Sequence, residues 1–181
     1  MRVGIFSDTH DHLDNIRRVV ALFNAHECDC VLFSGDLVST FAIPPLRELK
    51  CRLYGCFGDN EGNRPGILAG MRIIGEMREA PAHYTLADGT RVMIAHMKRQ
   101  FAGNTEPFDI AVFGHTHKPH VSRDEQGRLF INPGEASGWT YGAPTVAILE
   151  TATQDVEIVP LDTTQPLLSW DQTRRGEHRS E

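Results

Sequence analysis

The sequence predicts an α/β protein, and three observations lead there. The opening third alternates short apolar runs with a stretch of helical periodicity. The later part consists of short apolar runs grouped around turn dipeptides, with little helix between them. Five of the apolar runs lead within three residues to a carboxylate or an imidazole. Strands that alternate with helices argue for a parallel sheet with helices packed on it.

Taken in order, Val3–Phe6 is a short apolar run of the kind that forms a buried strand. From Leu13 to Ala25 the apolar residues Leu13, Ile16, Val19, Val20 and Phe23 recur at helical spacing. Val31–Phe33 is a second buried strand, Pro44–Pro45 opens a short helix through Leu49, and Leu53–Phe57 is a third strand. Gly62 to Gly75 is glycine-rich and matches neither period. Ala82–Leu86 and Arg91–Ala95 flank Asp88–Gly89, a hairpin signal. Ile110–Phe113 is a further strand, and Val121–Asp124 and Arg128–Asn132 flank a second turn, Gln126–Gly127. Thr145–Glu150 and Val156–Pro160 form a third pair. The chain is therefore divided into one domain over residues 1–160 and a polar tail over 161–181, where Leu167, Leu168 and Trp170 offer a docking segment.

At 181 residues the chain fits a single domain. Such a chain buries about 70% of its unfolded surface, enough for a real core. With 40% hydrophobic and 23% charged residues, wholesale disorder is excluded. No apolar stretch approaches the roughly 18 residues that a membrane span needs. Asp8 comes too early for a signal-peptide apolar region, so a cytoplasmic protein is expected. The net charge is −6 and the largest basic clusters are pairs, Lys98–Arg99 and Arg174–Arg175, which argues against stable nucleic-acid binding. Cys28, Cys30, Cys51 and Cys56 form no C-x-x-C pair and are read as reduced packing thiols.

The nine histidines carry more information. Val3–Phe6 leads to Asp8 and His10, Val31–Phe33 to Asp36, and Leu53–Phe57 to Asp59 and Asn60. Val92–Ala95 leads to His96, and Ile110–Phe113 to His115 and His117. In an open α/β sheet, ligands bind outside the carboxyl ends of the strands. Taken singly, these residues have ordinary readings: Asp8 as a helix cap, Asp36 as a turn residue, His96 as a satisfied core histidine. Together they present seven nitrogen and oxygen donors at one edge. That is too many for one zinc ion and suits two divalent ions about 3.5–4 Å apart. Mixed imidazole and carboxylate donors favour manganese, iron, zinc, nickel or cobalt over magnesium and calcium. No G-x-S-x-G or Walker-type loop suggests another chemistry.

These segments resemble the calcineurin-like metallophosphoesterase superfamily. The resemblance is carried by Ser7–His12 (SDTHDH), Ser34–Leu37 (SGDL), Gly58–Gly62 (GDNEG), Ile94–Met97 (IAHM), Phe113–Pro119 (FGHTHKP) and Ile131–Ser137 (INPGEAS). The closer match is the small single-domain branch of phosphodiesterases, which also includes the retromer subunit of vacuolar sorting. The resemblance implies a four-layer αββα sandwich with the metal site at the strand ends. It implies one ion held by Asp8, His10, Asp36 and His117 and a second by Asp36, Asp59, His96 and His115. Manganese is the first choice of metal, and Asp36, Asn60 and His96 are the catalytic residues.

The expected activity is hydrolysis of a small phosphodiester by a hydroxide bridging the two ions; the alternative is a phosphoesterase-fold scaffold that binds protein. The resemblance also allows a homo-oligomer. Asp59 stands where the superfamily usually has Asn, and Asn60 where many relatives place a histidine that protonates the leaving group. Met97 replaces a common glycine, and the segment Lys98–Asp109 is short. The run His115–His120 differs from the H-x-H-x-D-H of metallo-β-lactamase-like enzymes at Pro119, where that pattern needs aspartate.

Overall fold

The computed structural model describes residues 1–164; the proposed docking segment at Leu167, Leu168 and Trp170 lies outside them. Two mixed sheets pack face to face. In chain order the strands are β1 (Arg2–Phe6), β2 (Cys30–Phe33), β3 (Arg52–Cys56), β4 (Gly75–Arg78), β5 (Ala82–Thr85) and β6 (Arg91–Ile94). They are followed by β7 (Ile110–Val112), β8 (His120–Arg123), β9 (Leu129–Asn132), β10 (Thr145–Glu150) and β11 (Asp155–Pro160). The helices are α1 (Leu13–Ala25), α2 (Ile43–Leu46) and α3 (Arg64–Met71), with 3₁₀ turns at Thr40–Ala42 and Lys98–Phe101. The first sheet has the order β11-β10-β1-β2-β3-β4 and the second β5-β6-β7-β9-β8.

Strands β1 to β3 run parallel, as the strand–helix alternation predicts, and β4 extends the parallel run beyond it. The same sheet then gains an antiparallel edge, because the final hairpin β10–β11 returns to pair with β1. In the second sheet β6, β7 and β9 are parallel, flanked by antiparallel β5 and β8. The strands that matter for the site therefore end at one edge in each sheet.

Side chains alternate across each strand, so the first sheet feeds two cores. Val3, Ile5, Cys30, Leu32 and Cys56 face the second sheet and meet Val92, Ile94, Ile110, Val112 and Ile131. Phe6, Val31, Phe33 and Leu53 face the helices and meet Ile16, Val19 and Phe23 of α1. Gly4 exists for this contact: a Cβ there would lie 2.7 Å from the Phe23 ring. On the far face of the second sheet, Met93, Phe108 and Ala111 are covered by the Lys98–Phe101 turn. The fourth layer is thus a turn and loop, in keeping with the short Lys98–Asp109 segment.

Two local readings are corrected. The helix opened by Pro44–Pro45 covers only Ile43–Leu46, preceded by the 3₁₀ turn. The glycine-rich stretch contains α3 and leads into β4. Asn63 starts α3 by accepting the Gly66 N–H on its side chain at 3.1 Å, and Pro65 sits in the first turn, where a missing N–H costs nothing. Burial pushes the Cys28 and Cys30 thiols up to about 12, consistent with packing thiols. Among the described residues no helix is long and apolar enough to cross a membrane.

Candidate active site

All seven predicted donors converge at the carboxyl ends of the parallel strands. Asp8 and His10 follow β1, Asp36 follows β2, Asp59 follows β3, His96 follows β6, and His115 and His117 follow β7. Three groups have ligand atoms within 4.8 Å of one another: Asp8, His10 and His117; Asp59, His96 and His115; and Asp8, Asp36 and His96. The first two groups each hold three of the four residues that the family resemblance implies for one ion, without Asp36, and the third draws Asp8 and His96 from different halves around Asp36. Asp36 lies between them, with Oδ2 3.5 Å from His10 Nε2 and 3.3 Å from His96 Nε2.

The loops that carry these residues are strained. Asp8, His10, Asp36, His115 and His117 all have positive φ, between 40° and 66°. Non-glycine residues rarely adopt that region, and its cost is tolerated where surrounding structure fixes the geometry. Here Asp8 N–H donates to Gly35 O at 3.0 Å, and His10 N–H to Asp36 O at 3.1 Å. The two loops thus hold each other.

Close approach also demands glycine. A Cβ at Gly58 would lie 2.1 Å from Asp36 Oδ1, and one at Gly114 would lie 2.0 Å from Ser7 Oγ and 2.6 Å from Asp8 Oδ2. Gly114→Ala is therefore expected to cost about 1–3 kcal/mol of stability, as overpacking does. It should also displace Asp8. Thermal denaturation together with metal content checks both effects, and wild-type values for each would show that the loop gives way freely.

The donors grade from interior to surface. Asp8, Asp36 and His96 are buried, His10 and His117 half-buried, and Asp59 and His115 nearly half exposed. Burial raises the pKa of Asp8. Burial also disfavours ionised Asp36, but the closeness and charge of His96 and hydrogen bonds from Asn60 outweigh it and hold that carboxyl well below its usual range. His96 shows the reverse: burial lowers it, yet the closeness and negative charge of Asp36, with the charge of Asp8, push it up to about 9. The cluster is a negative nest that draws positive charge.

Hydrogen bonds fix which nitrogens face inward. His96 Nδ1 donates to the Ser34 carbonyl at 2.7 Å, so Nε2 faces the carboxylates; it is buried and makes no hydrogen bond. That nitrogen lies 2.9 Å from Asp59 Oδ1, without hydrogen-bond alignment. Asp59 thus points into the cluster rather than away from it. His117 Nδ1 contacts Glu135 Oε2 at 2.7 Å, turning its Nε2 to within 3.4 Å of His10 Nε2. Two imidazole nitrogens that close repel unless a proton or cation lies between them. An orphaned buried nitrogen, a facing nitrogen pair and three carboxylates are a donor set that fits divalent cations of the transition series.

Two supporting carboxylates escaped the sequence reading. Glu135, after β9, is buried; both oxygens accept from Thr140 N–H, and Oε1 accepts from Tyr141 N–H. Burial raises its pKa, but His117 and these N–H groups more than offset that and lower it. Glu61 is buried as well, and its Oε1 accepts from Asp36, Leu37 and Gly58 N–H at 2.8–3.2 Å. It ties the loop of Asp36 to the loop of Asp59. Both stand inside quoted motifs, INPGEAS and GDNEG, which was the available signal. Partners of this kind are worth about 10–100-fold in metal affinity or activity. Glu135→Gln is expected to lose that much, read as metal dissociation from the loaded protein; retention equal to wild type would show that Glu135 does not orient His117.

The remaining polar residues sort themselves. Asn60 Nδ2 donates to Asp36 Oδ2 at 2.7 Å, and the Asp59 and Asn60 N–H groups donate to Asp36 Oδ1. His12 caps α1 and stacks on Trp139, and His120 Nε2 lies 3.0 Å from Ser122 Oγ.

Comparison with known proteins identifies the family. The family model for the calcineurin-like phosphoesterase superfamily domain matches residues 1–154. The phosphodiesterase MJ0936 of Methanocaldococcus jannaschii is 32% identical over 167 residues, covering 90% of this chain and all of the relative. An archaeal phosphodiesterase structure superposes with a TM-score of 0.81 at 30% identity, over 89% of this chain and all of that one. The zinc complex of Vps29 from Entamoeba histolytica shares the fold, with a TM-score of 0.61 at 19% identity over 90% of this chain and all of that one. The chain belongs to the calcineurin-like phosphoesterase superfamily.

Proposed function

We propose that the protein is a metal-dependent phosphoesterase that hydrolyses small phosphodiesters at a centre for two divalent cations, manganese first among them. The observation that carries this reading is the convergence of seven nitrogen and oxygen donors, with His96 Nε2 buried among them without a hydrogen bond. The phosphodiesterase relative supports the substrate class.

In this reading Asp8, His10, Asp36 and His117 hold one cation and Asp36, Asp59, His96 and His115 the other. Bound cations supply Lewis-acid polarisation of the phosphoryl group and an acidified water at neutral pH. The chain's own residues prepare the site. Ser34 and Glu135 keep the Nδ1 protons of His96 and His117 turned outward, so that both Nε2 atoms face the centre. Asn60 holds Asp36 in one orientation. The exposed side, at Asp59 and His115, is where substrate enters.

Asn60 cannot donate a proton to a leaving group, and general-acid help is worth about 10²–10⁴-fold. Diesters with acidic leaving groups are therefore expected to turn over much faster than alkyl esters. A leaving-group series at fixed manganese measures this; a rate indifferent to leaving-group pKa would remove Asn60 from the explanation. The wider test is a manganese-supplemented screen of mono- and diesters. Turnover of diesters above monoesters supports the reading, and no turnover of either favours the scaffold alternative, for which the Vps29 likeness speaks only at the level of fold.

A further inference from the structure

We propose that the turn Gly138–Gly142 is an aromatic platform beside the centre that binds a planar aromatic substituent of the phosphodiester, an inference that rests on the hydrolytic reading above. Trp139 and Tyr141 are 65% and 52% exposed, two of the largest apolar side chains left open to water. Exposed aromatics on a rigid support mark recognition surfaces more than packing.

This support is rigid and belongs to the site. The turn is closed by Gly142 N–H donating to Gly138 O at 3.1 Å, and both glycines have the positive φ, 67° and 71°, that such a tight turn requires. Its middle hangs on the Glu135 carboxylate, which also holds His117. Thr140 Oγ1 lies 2.9 Å from His117 Nδ1. Trp139 Nε1 donates to His10 O at 3.4 Å, and the indole stacks on the His12 ring with centroids 4.5 Å apart. One edge and one face of the indole are thereby engaged while most of its surface stays open. Tyr141 stands nearby with Lys118 Nζ 5.1 Å from its ring centre, a cation for a phosphate or a base edge.

A planar ring carrying a nearby phosphate matches this arrangement. The net charge of −6 and the lack of a basic stripe favour a small diester over a nucleic-acid strand. The shared chemistry is a planar aromatic group on a phosphodiester, whether a nucleobase or a simple aryl ring.

The test uses the full-length, manganese-loaded protein with Trp170→Phe, which leaves Trp139 as the only tryptophan of the two in the chain. Three slowly hydrolysed phosphorothioate diesters are titrated: nucleoside methyl, phenyl methyl and dimethyl. The two aromatic probes are expected to quench Trp139 fluorescence and, by titration calorimetry on this protein and on the Trp139 variants alike, to bind about tenfold tighter than the dimethyl probe, as stacking on one aromatic side chain allows. Trp139→Ala should erase that preference. Trp139→Phe, which keeps a ring and loses the bond to His10, should keep most of it. A tighter nucleoside arm identifies a nucleobase site, and equal aromatic arms a general aryl site.

Equal binding of all three probes overturns the proposal. So does a Phe variant as impaired as the Ala variant, because Trp139 would then act through His10. An Ala variant that dissociates an oligomer without changing probe preference also overturns it, since that face would be covered by a second copy. Failure of the hydrolytic reading looks different: no ester is turned over, while the aromatic preference and the quenching persist.

Discussion

Asp36→Asn is expected to lower diester turnover by on the order of 10³-fold and to strip the protein of bound metal. Asp36 is buried, and both of its oxygens are in use. Oδ1 accepts from the Asp59 and Asn60 N–H groups at 3.0 and 3.1 Å, and Oδ2 accepts from Asn60 Nδ2 at 2.7 Å. Either orientation of an introduced amide sets an NH₂ against one of these donors. The lost charge adds to that: one unit at 4 Å is worth about 4 kcal/mol at an effective dielectric of 20, which is about three decades in rate. Steady-state turnover with metal analysis on the same preparation measures the effect, with thermal denaturation to show that the variant is folded. Activity above about a tenth of wild type would remove Asp36 from the shared position between the two halves.

Asp59→Asn is expected to weaken retention of the second cation by about tenfold and to strengthen inhibition by inorganic phosphate. Asp59 supplies the outermost carboxylate, 2.9 Å from His96 Nε2 and 3.6 Å from His115 Nδ1. With Asp8, Asp36 and Asp59 ionised, two divalent cations leave one net positive charge; with Asn at 59 they leave two. The extra positive potential attracts phosphate, and the missing anionic donor lets the cation go. The effect falls well below the Coulomb figure for Asp36 because Asp59 is nearly half exposed and water screens it. Metal titration and phosphate inhibition in parallel check the pair of effects. Both unchanged would make Asp59 a turn residue outside the centre.

The site and the fold differ in how far the sequence made them legible. Each of the seven donors lies within four residues of the end of an apolar run, so a strand and its terminal ligand are visible together without knowledge of the fold. Hairpins such as that around Asp88–Gly89 announce themselves by turn chemistry, and Gly89 does take positive φ. Helix α3 does not, because it buries only Ile67 and Met71 and carries two glycines, so its period is faint. The pairing of β10 with β1 is set by contacts between opposite ends of the chain, which local pattern cannot register. Glu61 and Glu135 read as ordinary acidic residues. Their roles depend on partners brought close only by folding: the Asp36 amide for Glu61, and His117 for Glu135. Trp139 carries no periodic signal at all, and its place beside His10 emerges only when the loop after β9 closes over the loop after β1.

The most direct test is a manganese titration of the chelator-stripped protein, read as turnover of a chromogenic bis-aryl phosphate. Turnover is expected to be absent from the stripped protein, to rise with added metal and to saturate near two equivalents per chain. Turnover that survives stripping, or none at any manganese concentration, would contradict a metal-dependent phosphoesterase built on these seven side chains.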